Sequence, residues 1–297
     1  MSARRRIAPQ SSLTHTNAVR SIFIDSSLQA RFEAEGFVIV PLLTAADITA
    51  LTALHDSAPC ELTAASPWSF TAMTTDAAYR RAMSDGIRAT LQRRLESVLE
   101  RCRAILGTFF HKQPATEESK IHLHQDWSWV DEREHHSLSV WCPFQPVNEA
   151  NGTLAVVPGS NRLSDRPRGF VTRFPYPYLE DMLVAKYSKH LTLEPGQAVL
   201  FHQRLFHWSG PNRTAARRLA ANCLVAPAEA SIVFPHTDAE RHPNQIELFE
   251  ADDRLLTSFV LGKRPEGARC LGFVDATVEP LDESALQQQL TAAAVSR

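Results

Sequence analysis

The chain has no cysteine pair, no long apolar run and almost no net charge. Its five cysteines (Cys60, Cys102, Cys142, Cys223, Cys270) are odd in number and scattered, and none forms a CxxC pair. Neither a disulfide framework nor a thiolate zinc site is suggested, and reduced thiols in a cytoplasmic protein are the expectation. No stretch approaches 18 consecutive apolar residues, which excludes an apolar helix across a membrane. The formal net charge is −2, so no polybasic field exists to hold nucleic acid or an anionic bilayer by charge. Internal repeats and low-complexity segments are also missing.

What is present is ordinary for a folded chain. Hydrophobic residues make up 44% and charged residues 22% of 297 residues, enough to bury the core of one large β-rich domain or of two small domains. The first 24 residues carry Arg4, Arg5, Arg6 and Arg20 and no acid. Pro9 interrupts any amphipathic helix there, so residues 1–24 are expected to form a flexible basic N-terminus, with a transit peptide as the alternative.

Residues 25–106 read as a helical part. Ser26 to Gln29 has capping-box spacing ahead of a helix ending near Gly36, and Phe37-Val38-Ile39-Val40 follows as a strand. Thr44 to Asp47 repeats the box. From Asp76 a longer helix is predicted, its stripe running through Ile87, Leu91, Leu95, Val98, Cys102 and Ile105. From Gly107 the period becomes that of strands, at 107–112, 120–126, 137–142, 153–157, 190–194, 197–202, 204–208 and 218–225. Short strands without intervening helices predict a mainly β fold with flanking helices, as an antiparallel sandwich or jelly roll over 107–226. Residues 160–189 are too long for a turn and read as a lid loop. Residues 227–297 form an extension with a helix from Asp282.

Alternating strand geometry gives Ile121-His122-Leu123-His124-Gln125-Asp126 its chemical interest. Side chains two apart share a face, so His124 and Asp126 can meet one metal ion. A second histidine from another strand would complete a two-His-one-carboxylate triad, which leaves adjacent coordination positions open and suits iron(II). Chance alone yields roughly half an HxD in a chain of this composition, and a second copy, His236-Thr237-Asp238, does occur. Only His242 follows that copy, with no return strand to present it, so 236–238 reads as surface. The segment Phe206-His207-Trp208-Ser209-Gly210-Pro211-Asn212-Arg213 runs on to Arg217 and Arg218. It combines a further histidine with an arginine fork of the kind that holds a dicarboxylic acid.

That segment resembles the H-x-S-x-x-N…R signature of the phytanoyl-CoA dioxygenase family, as His207, Ser209, Asn212 and Arg218. Asn151-Gly152-Thr153-Leu154 through Pro158-Gly159-Ser160 resembles the family's NG-x-L-x-x-x-PGS stretch, and Gly36 to Pro41 its opening strand. The resemblance implies a double-stranded β-helix, iron(II), 2-oxoglutarate and O2. It also implies hydroxylation of an unactivated C–H bond in a small molecule, with succinate and CO2 as co-products. By position the metal ligands become His124, Asp126 and His207, with Arg218 and Ser209 on the 2-oxoglutarate carboxylate. Desaturation, rearrangement or epimerisation would use the same site. A metal-dependent cupin-like isomerase or hydrolase, and a non-catalytic binding module, are readings from other classes.

Several residues compete for these roles. His202 rivals His207, but Ser209 and the arginine follow His207 at the family's spacing. Arg217 shares a strand face with Leu219, Ala221, Cys223 and Val225, which suggests packing; Arg218 shares one with Ala220, Asn222 and Leu224, which suggests a polar pocket. Lys120 and His122 would point with His124 on a regular strand and touch 2-oxoglutarate or substrate. Trp141, inward if its strand alternates from Ser139, would lie along 2-oxoglutarate or pack in the core. His135 and His136 read as solvated. The cluster Arg162, Arg166, Arg168 and Arg173 in the lid would pair with an anionic small-molecule substrate, or be plain solvated surface. The oligomeric state is not legible.

Overall fold

A computed structural model of the chain describes residues 19–58, 66–170, 172 and 174–295. Arg4, Arg5, Arg6, Cys60 and Arg173, named above, lie outside the described residues.

Asp25, one residue earlier than the spacing predicts, caps helix α1 (Ser26–Glu35) by accepting from the N–H groups of Ser27 and Leu28. Gln29 closes no box; its side-chain oxygen accepts from the N–H groups of Ile22 and Phe23. Gly36 ends the helix at φ 83°, where a Cβ would strike Leu205 and Asn161. Helix α2 (Ala45–Ser57) carries the Thr44/Asp47 capping box. Helix α3 (Ala77–Leu95) is capped by Asp76 and buries Met83, Ile87, Leu91 and Leu95. It stops there, although the stripe continues to Ile105. Cys102 and Ile105 belong to strand β3 (Cys102–Lys112), which pairs antiparallel with β10 (Arg218–Pro227). Long-range pairing overrides local periodicity at this point.

The remaining strands are β1 (Phe37–Pro41), β2 (Trp68–Phe70), β4 (Ile121–His124), β5 (Leu138–Pro143), β6 (Leu154–Val156), β7 (Lys189–His190), β8 (Gln197–His202) and β9 (His207–Ser209). One sheet has the order β1-β8-β5-β10-β3-β2 and a second the order β4-β9-β6-β7. Every pairing within them is antiparallel. Together they make a jelly roll of the double-stranded β-helix type.

Alternation along β10 decides what each face does. Leu219, Ala221, Cys223 and Val225 pack with Ile87, Leu91 and Leu95 under the helices. Ala220 joins Phe37, Trp141, Leu154, Val156 and Phe201 between the two sheets. The helices come close because Gly107 has no side chain: a Cβ there would lie 2.6 Å from Cβ of Ile87. Truncating the fully buried Leu91 to Ala would cost about 2–5 kcal/mol.

Past residue 227 the chain adds β11 (Val233–His236), β12 (Gln245–Glu250), helix α4 (Asp253–Ser258), β13 (Cys270–Asp275) and helix α5 (Glu283–Val295). The strands β11-β12-β13 form a third sheet, whose Phe234 and Phe249 pack with Trp129 and Phe259. Within 160–189, the stretch 177–187 is helical. Tyr176, Leu179 and Leu183 pack with Leu123, Phe206 and Leu286 of α5, so this part is packed onto the protein. No helix among the described residues is long and apolar enough to cross a membrane.

Candidate active site

Strands β4 and β9 set His124 directly opposite His207, with ring centroids 4.2 Å apart. The chain then leaves the ladder, and Asp126 turns in until its Oδ1 lies 3.5 Å from Nε2 of His207. Ligand atoms of His124, Asp126 and His207 all lie within 4.8 Å of one another, the one such group found among the described residues. The other HxD ends β11, and its Asp238 pairs with Arg241 at 3.8 Å.

Each histidine is oriented in the same way. Nδ1 donates to the backbone carbonyl two residues earlier, His124 to His122 at 2.7 Å and His207 to Leu205 at 2.9 Å. This fixes the tautomer and leaves Nε2 of both rings as a lone-pair donor. Asp126 accepts from Ser139 Oγ at 2.5 Å and donates its own N–H to the Gln203 carbonyl at 3.0 Å. Burial, then the neighbouring His207, pushes His124 down to about 4. Burial alone would raise Asp126, but His207, His124 and the Ser139 hydroxyl hold it down at about 2. Both groups are therefore in their ligand forms at neutral pH.

The anion side is built from β9 and β10. Arg218 is 3% exposed, and its guanidinium carbon sits 5.4 Å over the Trp141 ring. Among the described residues its Nε and Nη1 are buried without a hydrogen-bond partner. Burial lowers Arg218 to about 10, which leaves it a cation at neutral pH. Arg217, on the opposite face, pairs with Asp56 at 3.0 Å near solvent. Ser209, two residues after His207, faces the same cavity as Arg218. Behind it the buried Lys112, pushed down to about 6 by burial and by Arg218, donates to the Gly210 carbonyl at 2.5 Å. Asn212 acts on the turn: its amide donates to the carbonyls of Gln113 and Ala216, and its Oδ1 accepts from Thr214. That turn delivers the chain from His207 to Arg218.

The cavity encloses about 480 Å³, its open mouth included. His124, Asp126, His207, Ser209, Trp141 and Arg218 all line it, with Phe110, Ile121, Leu154, Phe201 and Asn222. Lys120 and His122 do not. The pairing of β4 with β9 is irregular between Ile121 and His124, which breaks the alternation that would have turned them inward. His122 is 74% exposed, 3.2 Å from Glu180, and the exposed Lys120 lies 5.9 Å over Trp208. His136 is also corrected: it packs edge-on against Phe32 and beside His202. Ser139 went unassigned in the sequence, although its place two residues before Trp141 on one strand face carries the signal. Asn222 lines the cavity on the strand face that it shares with Arg218, whereas Phe110 had no signal that separates it from a packing residue.

The donors fit the groups that the resemblance implies. Two imidazoles with free Nε2 atoms and one carboxylate suit a divalent iron. A buried guanidinium with unpaired N–H groups suits the far carboxylate of a dicarboxylic acid.

A profile of the phytanoyl-CoA dioxygenase family (PhyH) matches residues 32–220. Human peroxisomal phytanoyl-CoA dioxygenase is 30% identical over 122 residues, 39% of this chain and 36% of that protein. The probable phytanoyl-CoA dioxygenase of Caenorhabditis elegans is 32% identical over 115 residues, 36% of either chain. The chain thus aligns with little more than a third of the length of these relatives. Among solved structures, the non-haem alpha-ketoglutarate-dependent carbocyclase SnoK from nogalamycin biosynthesis has the same fold. Its TM-score is 0.50 at 17% identity, covering 82% of this chain and 94% of that one.

Proposed function

The chain belongs to the phytanoyl-CoA dioxygenase family of iron(II)- and 2-oxoglutarate-dependent oxygenases, and from that premise we propose that it hydroxylates an unactivated C–H bond of a small molecule. One atom of O2 enters the substrate and the other enters succinate, and CO2 leaves. Iron(II), when bound, supplies the oxidising chemistry, and His124, Asp126 and His207 would hold it. Arg218 and Ser209 would take the distal carboxylate of 2-oxoglutarate, with Trp141 against the guanidinium.

The observation that carries this reading is Arg218. A buried cation with two unpaired nitrogens is costly alone, and a carboxylate in the cavity it shares with the triad would satisfy it. A cupin-like hydrolase or isomerase would leave Arg218 unexplained. Desaturation, rearrangement and epimerisation keep the same site and are separated from hydroxylation by analysing the product.

The substrate proposed is an anionic small molecule. Of the described arginines at 162–168, Arg162 is exposed and Arg166 is part-buried, donating to the Ala276 carbonyl at 3.2 Å. Arg168 is fully engaged inside the protein and drops out of that role. The free cysteines Cys102, Cys142, Cys223 and Cys270 fit a cytoplasmic setting.

The test is succinate release from 2-oxoglutarate under air, with and without a pool of candidate acids. Iron-dependent release stimulated by a member of the pool supports the proposal. Release of no succinate under any condition sinks it.

A further inference from the structure

Asp126 is the one ligand of the three that no strand holds: β4 ends at His124, and the chain from 125 to 129 is outside any ladder. Something else must fix its backbone. The Gln203 carbonyl takes its N–H, and the guanidinium of Arg168 holds the other side, with Nε donating to the Asp126 carbonyl at 2.7 Å. Its other two nitrogens are also in use, Nη1 on the Arg166 carbonyl at 2.8 Å and Nη2 on Glu132 Oε2 at 2.6 Å. The Arg168–Glu132 pair is buried, with side chains 3% and 2% exposed. Ser128 closes the arrangement. Its N–H donates to the Arg168 carbonyl, its Oγ accepts from the Arg168 N–H, and the same hydroxyl donates to Glu132 Oε2.

We propose that Arg168 and Glu132 form a positioning clamp that fixes Asp126 from behind its backbone and thereby sets the metal affinity of the site. The inference rests on the metal-centre reading above. Neither residue touches the metal position; they act through the peptide carbonyl of the ligand.

Only an arginine with this geometry does the work. The planar fork reaches two carbonyls and a carboxylate at once, whereas a lysine presents a point charge on a flexible stem. A buried ion pair is weak evidence for stability, since apolar residues of similar size often replace one without loss. Here the pair also ties the turn at 126–132 to the segment at 166–168. A ligand outside its ladder depends on such ties, and removing outer partners of metal ligands typically lowers metal affinity by about 10- to 100-fold.

The experiment titrates cobalt(II) into the metal-free protein, following visible absorption, beside a thermal melt of each variant. The double variant Arg168→Met/Glu132→Met removes the clamp without leaving a lone buried charge. It should melt near the wild-type temperature yet bind cobalt(II) at least about 10-fold more weakly, with altered ligand-field bands. At saturating metal, its affinity for 2-oxoglutarate should be unchanged, because Arg218 is carried by β10 and makes no hydrogen bond with the clamp. Should the double variant fail to fold, Arg168→Lys is read in the same titration and should bind cobalt(II) more weakly than wild type, wild-type affinity and spectrum there overturning the clamp. Wild-type cobalt affinity and spectrum in a folded variant overturn the clamp. A wild-type protein that takes up no cobalt(II), with Asp126→Ala as its control, overturns the metal-centre reading and the clamp with it.

Discussion

Arg218 sits over Trp141, its guanidinium carbon 5.4 Å from the ring centroid, and two of its nitrogens have no hydrogen-bond partner among the described residues. The ring shields one side of the cation from water and leaves its N–H edge for something in the cavity. Trp141 comes from β5 and Arg218 from β10. Those neighbouring strands pair Trp141 with Asn222, which lies four residues along β10 from Arg218 on the same strand face, so the two long side chains meet along that face. An anion supplied from solution is the simplest group that completes the arrangement.

Replacing Arg218 by Ala should therefore raise the 2-oxoglutarate requirement by a hundredfold or more. Breaking one side of a buried charge pair costs on the order of 3–5 kcal/mol. Arg217→Ala, which removes only a solvent-side pair with Asp56, should change it little, and Ser209→Ala should fall between. The measurement is a 2-oxoglutarate titration of succinate release by the three variants. A larger effect at Arg217 than at Arg218 would overturn the assignment.

Asp126→Ala should abolish iron-dependent turnover and leave the fold intact, since the side chain borders a cavity and not the core. Asp238→Ala should behave as wild type, because Asp238 sits at the surface against Arg241. Iron content after anaerobic loading, read with circular dichroism, distinguishes loss of ligand from loss of fold. Equal iron loss at both positions would refute the choice between the two motifs.

The sequence makes the sheet class legible because strand alternation is local: the faces of β10 follow from which of its residues are apolar. It also makes legible which residues of the HxD and H-x-S-x-x-N…R segments come together, since the turn at 210–217 is short and its Asn212 is bonded into it. What escaped depends on departures from regularity. One irregular step in β4 turned His122 and Lys120 outward. The helical stripe ran on into residues that a neighbouring strand claims. Arg168 looked like a free lid arginine because its partner Glu132 is distant in sequence, and only the fold brings the two together.

Acid should destabilise the metal-free protein from about pH 6.5 downward. Burial pushes His111 and His136 down to about 4 and His202 well below its usual 6.5. Between pH 6.5 and 4 the unfolded chain binds protons that the folded chain refuses, so stability is full above 6.5 and falls as pH drops. Each group adds a slope of up to about 1.4 kcal/mol per pH unit. Calorimetric melts at pH 7, 5.5 and 4.5 should show the fall, and His136→Phe, packed against Phe32, should make it shallower. A melting temperature that holds steady from pH 7 to 4.5 would contradict the buried neutral state.

The substrate prediction turns on Arg166. Burial, then the charge of Arg168, lowers it to about 10, so it stays charged at neutral pH in surroundings that hydrate it poorly. Its Nη1 already donates to the Ala276 carbonyl; an anionic substrate group would add a charge-assisted bond to that arginine, and Arg168, committed to Glu132, would add none. Once a substrate acid is identified, Arg166→Ala should raise its KM by at least about tenfold, the scale of one charge-assisted hydrogen bond. The more exposed Arg162→Ala should raise it less. Neither change should move the 2-oxoglutarate requirement, which Arg218 sets from β10 inside the cavity. Steady-state kinetics with both co-substrates varied separates the two effects. An uncharged true substrate, or two silent variants, would return this segment to ordinary surface.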